Sequence, residues 1–225
     1  VAVLLASIEG LVFERLAIRP LRNASPISLV IITIGGSILI RGLSMLIWDK
    51  DTHAIPAFSG EEPLMLAGAT VLPQHLWILG ITVVLITLNR WFFNHTISGK
   101  AMRACSYNPR AAGLVGIDVR RMVLLSFVIS AAMGSLAGII VAPLTMTAYD
   151  VGVMLGLKGF CAAIIGGMSS GLPTVIGGLI LGVLESLGAG LISSGYKDAI
   201  AFIILLLILF IRPQGLFGKP ESERV

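Results

Sequence analysis

The residues best equipped for chemistry in this chain lie in one stretch, GKAMRACSYNPRAAGLVGIDVRR, at 99–121. It sets Lys100, Arg103, Arg110, Arg120 and Arg121 against a single acid, Asp118. Arg103 and Arg110 offer planar, two-pronged donors suited to carboxylates on a partner protein. The stretch does not hold a nucleotide. Gly99-Lys100 is followed by Ala101, and the upstream glycine of a phosphate-cradling loop is missing. If ATP drives this protein, the ATPase is another chain and Mg-ATP is that chain's cofactor. No cofactor is expected here. Hydrolysis within a membrane would need a nucleophile beside a base. His53, His75 and His95 all fall in or beside loops, and no Ser or Cys stands near one inside an apolar segment. The two cysteines, Cys105 and Cys161, lie far apart and have no metal-ligand or disulfide spacing. No metal site is expected.

A second kind of chemistry comes from charge in apolar surroundings, where it is costly and tends to be functional. Arg41 and Glu185 stand well inside two apolar runs. Counted along helices that leave the inner membrane face, they lie about 21 and 18 Å up, in the outer half of the bilayer. Glu185 is expected to face the bundle, with Arg41 as its candidate ion-pair partner. The competing expectation is that Arg41 snorkels by itself and nearby hydroxyls satisfy Glu185. Fourteen of the 26 glycines fall between Gly134 and Gly195, with small-residue pairs such as Gly178/Gly182. Close helix packing accounts for such pairs; a cargo path, where unwound backbone offers polar groups, is the sharper reading. Gly166-Gly167 and Ser169-Ser170 mark the best place for such a break.

Positioning these groups is the task of an apolar scaffold. Of the 225 residues 56% are hydrophobic and 12% charged, with a mean hydropathy of +0.96. A soluble domain carries roughly 25% charge. The composition therefore indicates an all-α, polytopic transmembrane bundle, one membrane-embedded domain over 1–225. No basic stripe interleaves with aromatics, which argues against nucleic acid. The chain opens at Val1 within an apolar run, with neither Met nor charged leader, as a fragment or processed start would. Apolar runs cover Val1 to about Phe13, Ile27–Ile47, Leu76–Leu88 (extendable to Phe93), Met122–Thr145, Met154–Met168, Pro173–Ile192 and Ala199–Ile211. That makes about seven membrane segments. Met154–Met168 is short enough to cross or to re-enter.

Orientation follows from the basic residues. Twelve of the sixteen lie in three regions: 14–26 (Arg15, Arg19, Arg22), 89–121 (Arg90 and the five above) and the tail (Arg212, Lys219, Arg224). These belong in the cytoplasm. The loop 48–75 holds Asp49, Asp51, Glu61 and Glu62 against Lys50 and belongs outside. Glu14 and Arg15 are expected to anchor a helix end at the inner edge. Trp48, Trp77 and Trp91 fall at span ends, as interfacial aromatics do. Within 99–121, Ser98 is a plausible N-cap for a helix from Gly99. Asn108-Pro109 reads as N-cap and first helical residue, and Gly116 as a left-handed stop after Pro109–Val115. Ala101, Ala104, Ala111, Ala112 and Gly113 are expected to be exposed and to permit close approach. A solvated basic loop is the plainer reading of the same residues.

Four stretches together carry a resemblance: FERLAIRPLRNASP at 13–26; ISGKAMRACSYNPRAAGLVGIDVRRM with SFVISAAMGSLAGII, within 97–140; GLKGFCAAIIGGMSSGLPTVIGGLILGVLES at 156–186; and FIRPQGLFG at 210–218. In this order the chain resembles the permease subunit of branched-chain amino acid ABC importers, of the first of two permease types. The resemblance implies a bacterial inner-membrane, multi-pass subunit with a cytoplasmic C-terminus and no ATPase activity. It implies as partners a second permease, related or identical, two cytoplasmic ATPases and an extracytoplasmic binding protein. It implies a coupling helix at 99–117, with Gly99, Arg103, Ala104, Ala112, Gly113, Gly116 and Ile117 matching that segment. It also implies at least one further leading helix ahead of Val1. The cargo implied is a branched-chain or other hydrophobic amino acid; relatives with the same architecture handle urea or short amides.

An ion-coupled secondary transporter is the reading from another class. It calls for broken helices in paired halves and ion-binding carboxylates, for which Glu185 is the single candidate. A membrane scaffold would leave 99–121 without an ATPase to dock.

Overall fold

The computed structural model describes residues 1–21, 25–60, 62–66, 69–167, 171–191, 193–212 and 214–218. The chain forms two compact units, 1–151 and 152–225. In the first, α1 (Ala2–Phe13) runs into a π-helical turn, Glu14–Ile18, and a 3-10 turn, Arg19–Leu21. Then come α2 (Pro26–Trp48), a two-stranded hairpin, α3 (Pro73–His95), α4 (Ile97–Tyr107), α5 (Pro109–Leu114) and α6 (Val119–Thr145). The second unit holds α7 (Val151–Gly166, starting at the boundary), α8 (Gly171–Leu191) and α9 (Lys197–Ile211). Each apolar run read from the sequence coincides with a helix in its described residues, except that α7 stops at Gly166; Met168 and Ile192 lie outside the described residues. Four of the runs, in α2, α3, α6 and α8, are long and apolar enough to cross a membrane, whereas α7 and α9 are shorter apolar helices.

Proline at the first turn starts α2 and α3, where a missing N–H costs nothing. Ser25 caps α2 by accepting from Ser28 N at 3.3 Å. Along α1 and α6 the contact is backbone-close. A Cβ on Gly10 would sit 2.8 Å from Ala131 Cβ and 2.9 Å from Phe127 O. Phe13 and Phe127 meet one turn on, with ring centroids 6.2 Å apart. Glu14 follows in the π-turn and is 4% exposed, with Oε2 lacking a hydrogen bond among the described residues. The expected pair of helix-end anchors is therefore half right: Arg15 is exposed while Glu14 turns inward with the face that packs on α6.

The loop between α2 and α3 contains an antiparallel hairpin, Leu64–Leu66 on Ala69–Val71. It is tied down at several points. Gln74, 1% exposed, accepts from Phe58 N at 3.3 Å and donates to Ile140 O at 2.7 Å. His53 and Thr147 exchange two backbone hydrogen bonds, and Trp77 Nε1 donates to Ser59 Oγ at 2.7 Å. Trp48 and Trp77 lie in the terminal turns of their helices, as does Trp91.

In the second unit the core is Cys161, Ala162, Ile165, Leu181 and Ala201, with Phe202, Leu205 and Leu216 packed around it. Glycines let α7 and α8 approach: a Cβ on Gly177 would run into Ala162 O, and one on Gly166 into the Pro173 backbone. Beyond α9 the chain turns back. Leu216 N donates to Ile165 O at 2.8 Å, which satisfies a carbonyl at the end of α7. Gly167 (φ +91°) and Gly215 (φ +79°) meet there in left-handed conformations, with no room for a Cβ on either.

Gly10→Ala forces a methyl into the α1–α6 contact and should cost about 1–3 kcal/mol. Gly35→Ala, where nothing lies within 4 Å, should be neutral or slightly stabilising. Thermal unfolding of the two purified variants in detergent checks the contrast.

Candidate functional site

Residues 96–118 leave α3, make two short helices and enter α6, and each corner is fixed by a side chain. Thr96 Oγ1 accepts from Gly99 N at 3.0 Å and caps α4. Asn108 Oδ1 accepts from Arg110 N at 3.1 Å and Ala111 N at 3.0 Å, with Pro109 at the first position of α5. Asp118 Oδ1 accepts from Arg120 N at 3.1 Å and Arg121 N at 3.2 Å, and its Oδ2 pairs with Arg121 Nε at 3.1 Å. The Asn108-Pro109 start is the one the sequence indicates. The first cap is not. Thr96 takes the role expected of Ser98, and α4 begins two residues earlier than Gly99, because the extended backbone that a cap requires falls at Thr96 (ψ 148°).

Gly116 (φ +86°) stops α5. Its N–H reaches Gly113 O at 3.1 Å and Ile117 N reaches Ala112 O at 3.0 Å. These are the two reverse bonds of a Schellman end. Gly99 is buried against the end of α3, where a Cβ would collide with the Phe92 and Phe93 backbone. Ala112 is 4% exposed, and Ala104 and Ile117 are half-buried. So Gly99, Ala104, Ala112 and Ile117 hold the segment against its own unit. Arg103, Gly113 and Gly116 face outward, and Arg103 Nη1 donates to Asn94 Oδ1 at 3.0 Å.

Of the small residues expected to be exposed, Ala111 and Gly113 are, but Ala101 and Ala104 are half-buried and Ala112 is buried. The reason is geometric: α4 packs on α3 and α6, and α5 leans on α6. What the segment presents instead is Leu114, 90% exposed, and Val115, 76% exposed, beside Arg110. The sequence reading passed over Leu114 and Val115. Their signal was two bulky apolar residues just ahead of a helix-stopping glycine, where the last turn projects outward.

The intramembrane polar residues divide between the units. In the first, Arg41 is half-buried on α2 and its Nε donates to Ser37 O at 3.4 Å. In the second, Glu185 is buried on α8 and joined to Lys158 Nζ of α7 at 2.5 Å. Lys158 also reaches Asp198 of α9 at 2.7 Å. Lys158 thus ties three helices of this unit with charge-assisted bonds. The sequence search for charges within spans overlooked Lys158, because Met154–Met168 was too short to count as a firm span. It also overlooked Glu9, which is exposed on α1. The Gly166-Gly167 break exists: α7 ends at Gly166 and the backbone turns left-handed at Gly167. Ser169 and Ser170, like Arg22, Glu61, Lys219 and Arg224, lie outside the described residues.

Among the described residues no group of three His, Cys, Asp or Glu could hold a metal ion. A hollow beside Ser59, Leu64, Pro73, Leu76 and Trp77 is shallow and open.

Comparison with known proteins matches residues 1–209 to the family model described as the permease component of branched-chain amino acid transport systems. The chain is 36% identical to the high-affinity branched-chain amino acid transport system permease protein LivH of Salmonella typhimurium, over 100% of this chain and 74% of the relative. It is 32% identical to BraD of Pseudomonas aeruginosa, a high-affinity permease protein of the same kind, over 100% and 75%. More distantly, it is 28% identical to the ribose import permease protein RbsC of Escherichia coli, over 77% and 57%. No solved structure matches it significantly.

Lys158→Met removes the cation that bridges Glu185 and Asp198 and should destabilise the protein by roughly 3–5 kcal/mol, the usual cost of breaking a buried pair from one side. Asp198→Asn touches the half-exposed limb and should cost about 1 kcal/mol or less. Denaturant unfolding of the two variants in detergent measures the difference.

Proposed function

Because the chain belongs to the family of permease components of branched-chain amino acid transport systems, and is an ABC importer permease subunit, we propose that it admits leucine-like amino acids to the cytoplasm. The 36% identity to LivH over the whole chain carries that cargo class. A largely apolar path suits an aliphatic side chain, with backbone and polar groups left for the zwitterionic ends. Val is one methylene smaller than Leu or Ile, worth roughly 1–3 kcal/mol, and Leu and Ile are isomers. Fine discrimination therefore falls to a separate extracytoplasmic binding protein, received on the outer loop 48–75.

The subunit hydrolyses nothing and holds no cofactor. Two cytoplasmic ATPases, carrying Mg-ATP, drive it through the coupling segment 99–117. Gly99, Ala104, Ala112 and Ile117 fasten that segment to the bundle. Arg103, Gly113 and Gly116 belong to its outward side, where Leu114 and Val115 form the tip that enters the ATPase. A rigid short helix with an apolar tip and flanking guanidinium groups transmits a push better than a mobile loop does. A second permease subunit, related or identical, completes the membrane pair.

The chain crosses the bacterial inner membrane about seven times, as one permease domain over 1–225, with its C-terminus in the cytoplasm. The bond from Leu216 N to Ile165 O supports α7 as a crossing segment. It brings the end of α7 to the side reached by the end of α9. The sixteen residues of α7 span about 24 Å, a mismatch that local thinning of the bilayer absorbs. On this reading the Lys158 cluster and the Gly166-Gly167 turn stand along the cargo path, at its outer and inner reaches.

The experiment is uptake of labelled leucine into proteoliposomes holding the full transporter, with ATP inside and binding protein outside. Uptake should require ATP and ignore a protonophore. L114D/V115D should lower both ATPase co-purification and uptake by about 30-fold, the scale of an interface hot spot worth 2 kcal/mol. Uptake that persists without ATP and collapses with the protonophore contradicts the reading.

A further inference from the structure

The loop between α2 and α3 has little regular structure beyond its short hairpin, yet it is tied to α6 at two places, all within the first unit. Among the described residues, left-handed φ values outside glycine occur at two positions, and both flank these ties. Asp49 (φ 66°, ψ −178°) closes α2, and Met146 (φ 52°, ψ 122°) closes α6. Backbone of this kind persists only where its surroundings over-determine it. One restraint is the pair His53 and Thr147. His53 N donates to Thr147 O at 2.9 Å, and Thr147 N donates to His53 O at 2.8 Å. The other is Gln74.

Gln74 follows Pro73 in the first turn of α3 and is buried. A polar side chain there is costly unless its donor and acceptor are both used. Both are. Oε1 takes the N–H of Phe58, and Nε2 gives a proton to the carbonyl of Ile140. A side-chain amide suits the place because it sets an acceptor and a donor side by side on one plane. Pro143, three residues on in α6, lacks the N–H that Ile139 O would accept. The ladder of α6 is therefore interrupted beside the carbonyl that Gln74 uses. One buried side chain thus joins the loop at Phe58, the start of α3 and the outer part of α6.

We propose that Gln74 is a positioning residue for docking: it holds 53–59 against α6 in the conformation that the extracytoplasmic binding protein recognises. The inference rests on the reading above that the outer loop receives that protein. Gln74 is buried and acts through the loop, without touching the partner. A loop ordered beforehand spares the ordering cost at encounter. When only a fraction of the loops is competent, apparent affinity falls by that fraction. The caps of the coupling segment, Thr96, Asn108 and Asp118, do not involve Gln74, so the ATPase side should not respond to its loss.

The test is binding of the leucine-loaded binding protein of the same transport system to the complete transporter in nanodiscs, together with hydrogen–deuterium exchange. Gln74→Met keeps the length of the side chain and removes both bonds. It should raise Kd about tenfold, as when a tenth of the loops is competent. Exchange should quicken by a similar factor in peptides covering 53–59 and stay unchanged at 97–117; general loosening of the fold would raise both. His53 and Thr147 form a directly opposed, hydrogen-bonded pair, with Cα atoms about 5.5 Å apart in such geometry, within disulfide reach. Adding His53→Cys and Thr147→Cys to Gln74→Met should restore Kd to within about twofold when oxidised and lose it again on reduction. The native Cys105 and Cys161 are buried. An unchanged Kd in Gln74→Met overturns the proposal, as do unchanged exchange at 53–59 and a weakened Kd that oxidation does not restore. If the binding protein protects no peptide within 49–72 of the unaltered transporter, the docking reading fails instead, and exchange at 53–59 without binding protein still shows whether Gln74 seats the loop.

Discussion

Three hydrogen-bond acceptors, the side chains of Thr96, Asn108 and Asp118, set the course of the chain between α3 and α6. Each satisfies backbone N–H groups that a helix start leaves without partners. Without them α4 and α5 would have no fixed ends, and Leu114 and Val115 would not stand out from the surface. Glycine does the remaining work at two places. Gly99 lets α4 fold back against the end of α3, and Gly116 takes the left-handed turn that closes α5. A short, capped, amphipathic element held on α3 and α6 is what a separate motor needs in order to move the bundle.

Inside the apolar helices the same accounting applies with higher stakes. Hydrocarbon offers no water to unpaired charges. The second unit meets this by placing Lys158 between Glu185 and Asp198, so that one cation serves two carboxylates from two helices. Glycines bring α7 and α8 close enough for that reach. At the far end of α7 the carbonyl of Ile165 is satisfied by the returning chain at Leu216 rather than by water. The unit is therefore pinned by charge at one end and by backbone at the other, around an apolar core.

The apolar runs were legible because length and hydropathy alone decide them. Asn108-Pro109 and Gly116 give the limits of α5 to within a residue, whereas the prolines that start α2 and α3 lie outside the runs read at Ile27–Ile47 and Leu76–Leu88. The cap at Thr96 in place of Ser98 was not legible because both residues can cap, and only the backbone angle at the junction separates them. The exposure of the small residues failed because a sequence does not say which side of a short helix meets its neighbours. Lys158 went unseen because its run was shorter than a span, and its two acids come from helices far along the chain. Glu14 looked like an anchor by position, but packing of the π-turn on α6 turned it inward. Among the candidate residues, Ser169 and Ser170 lie outside what the structure describes. Family membership was readable from the four motifs in order, and the comparisons bear it out.

The central claim is that the capped segment 97–117 is the surface on which a separate ATPase works. Hydrogen–deuterium exchange of the permease, with and without the ATPase subunits, tests it directly. Binding should slow exchange in peptides covering 97–117 by at least tenfold and leave 49–72 unchanged. Unchanged exchange across 97–117, with protection appearing at 49–72 instead, would contradict the account.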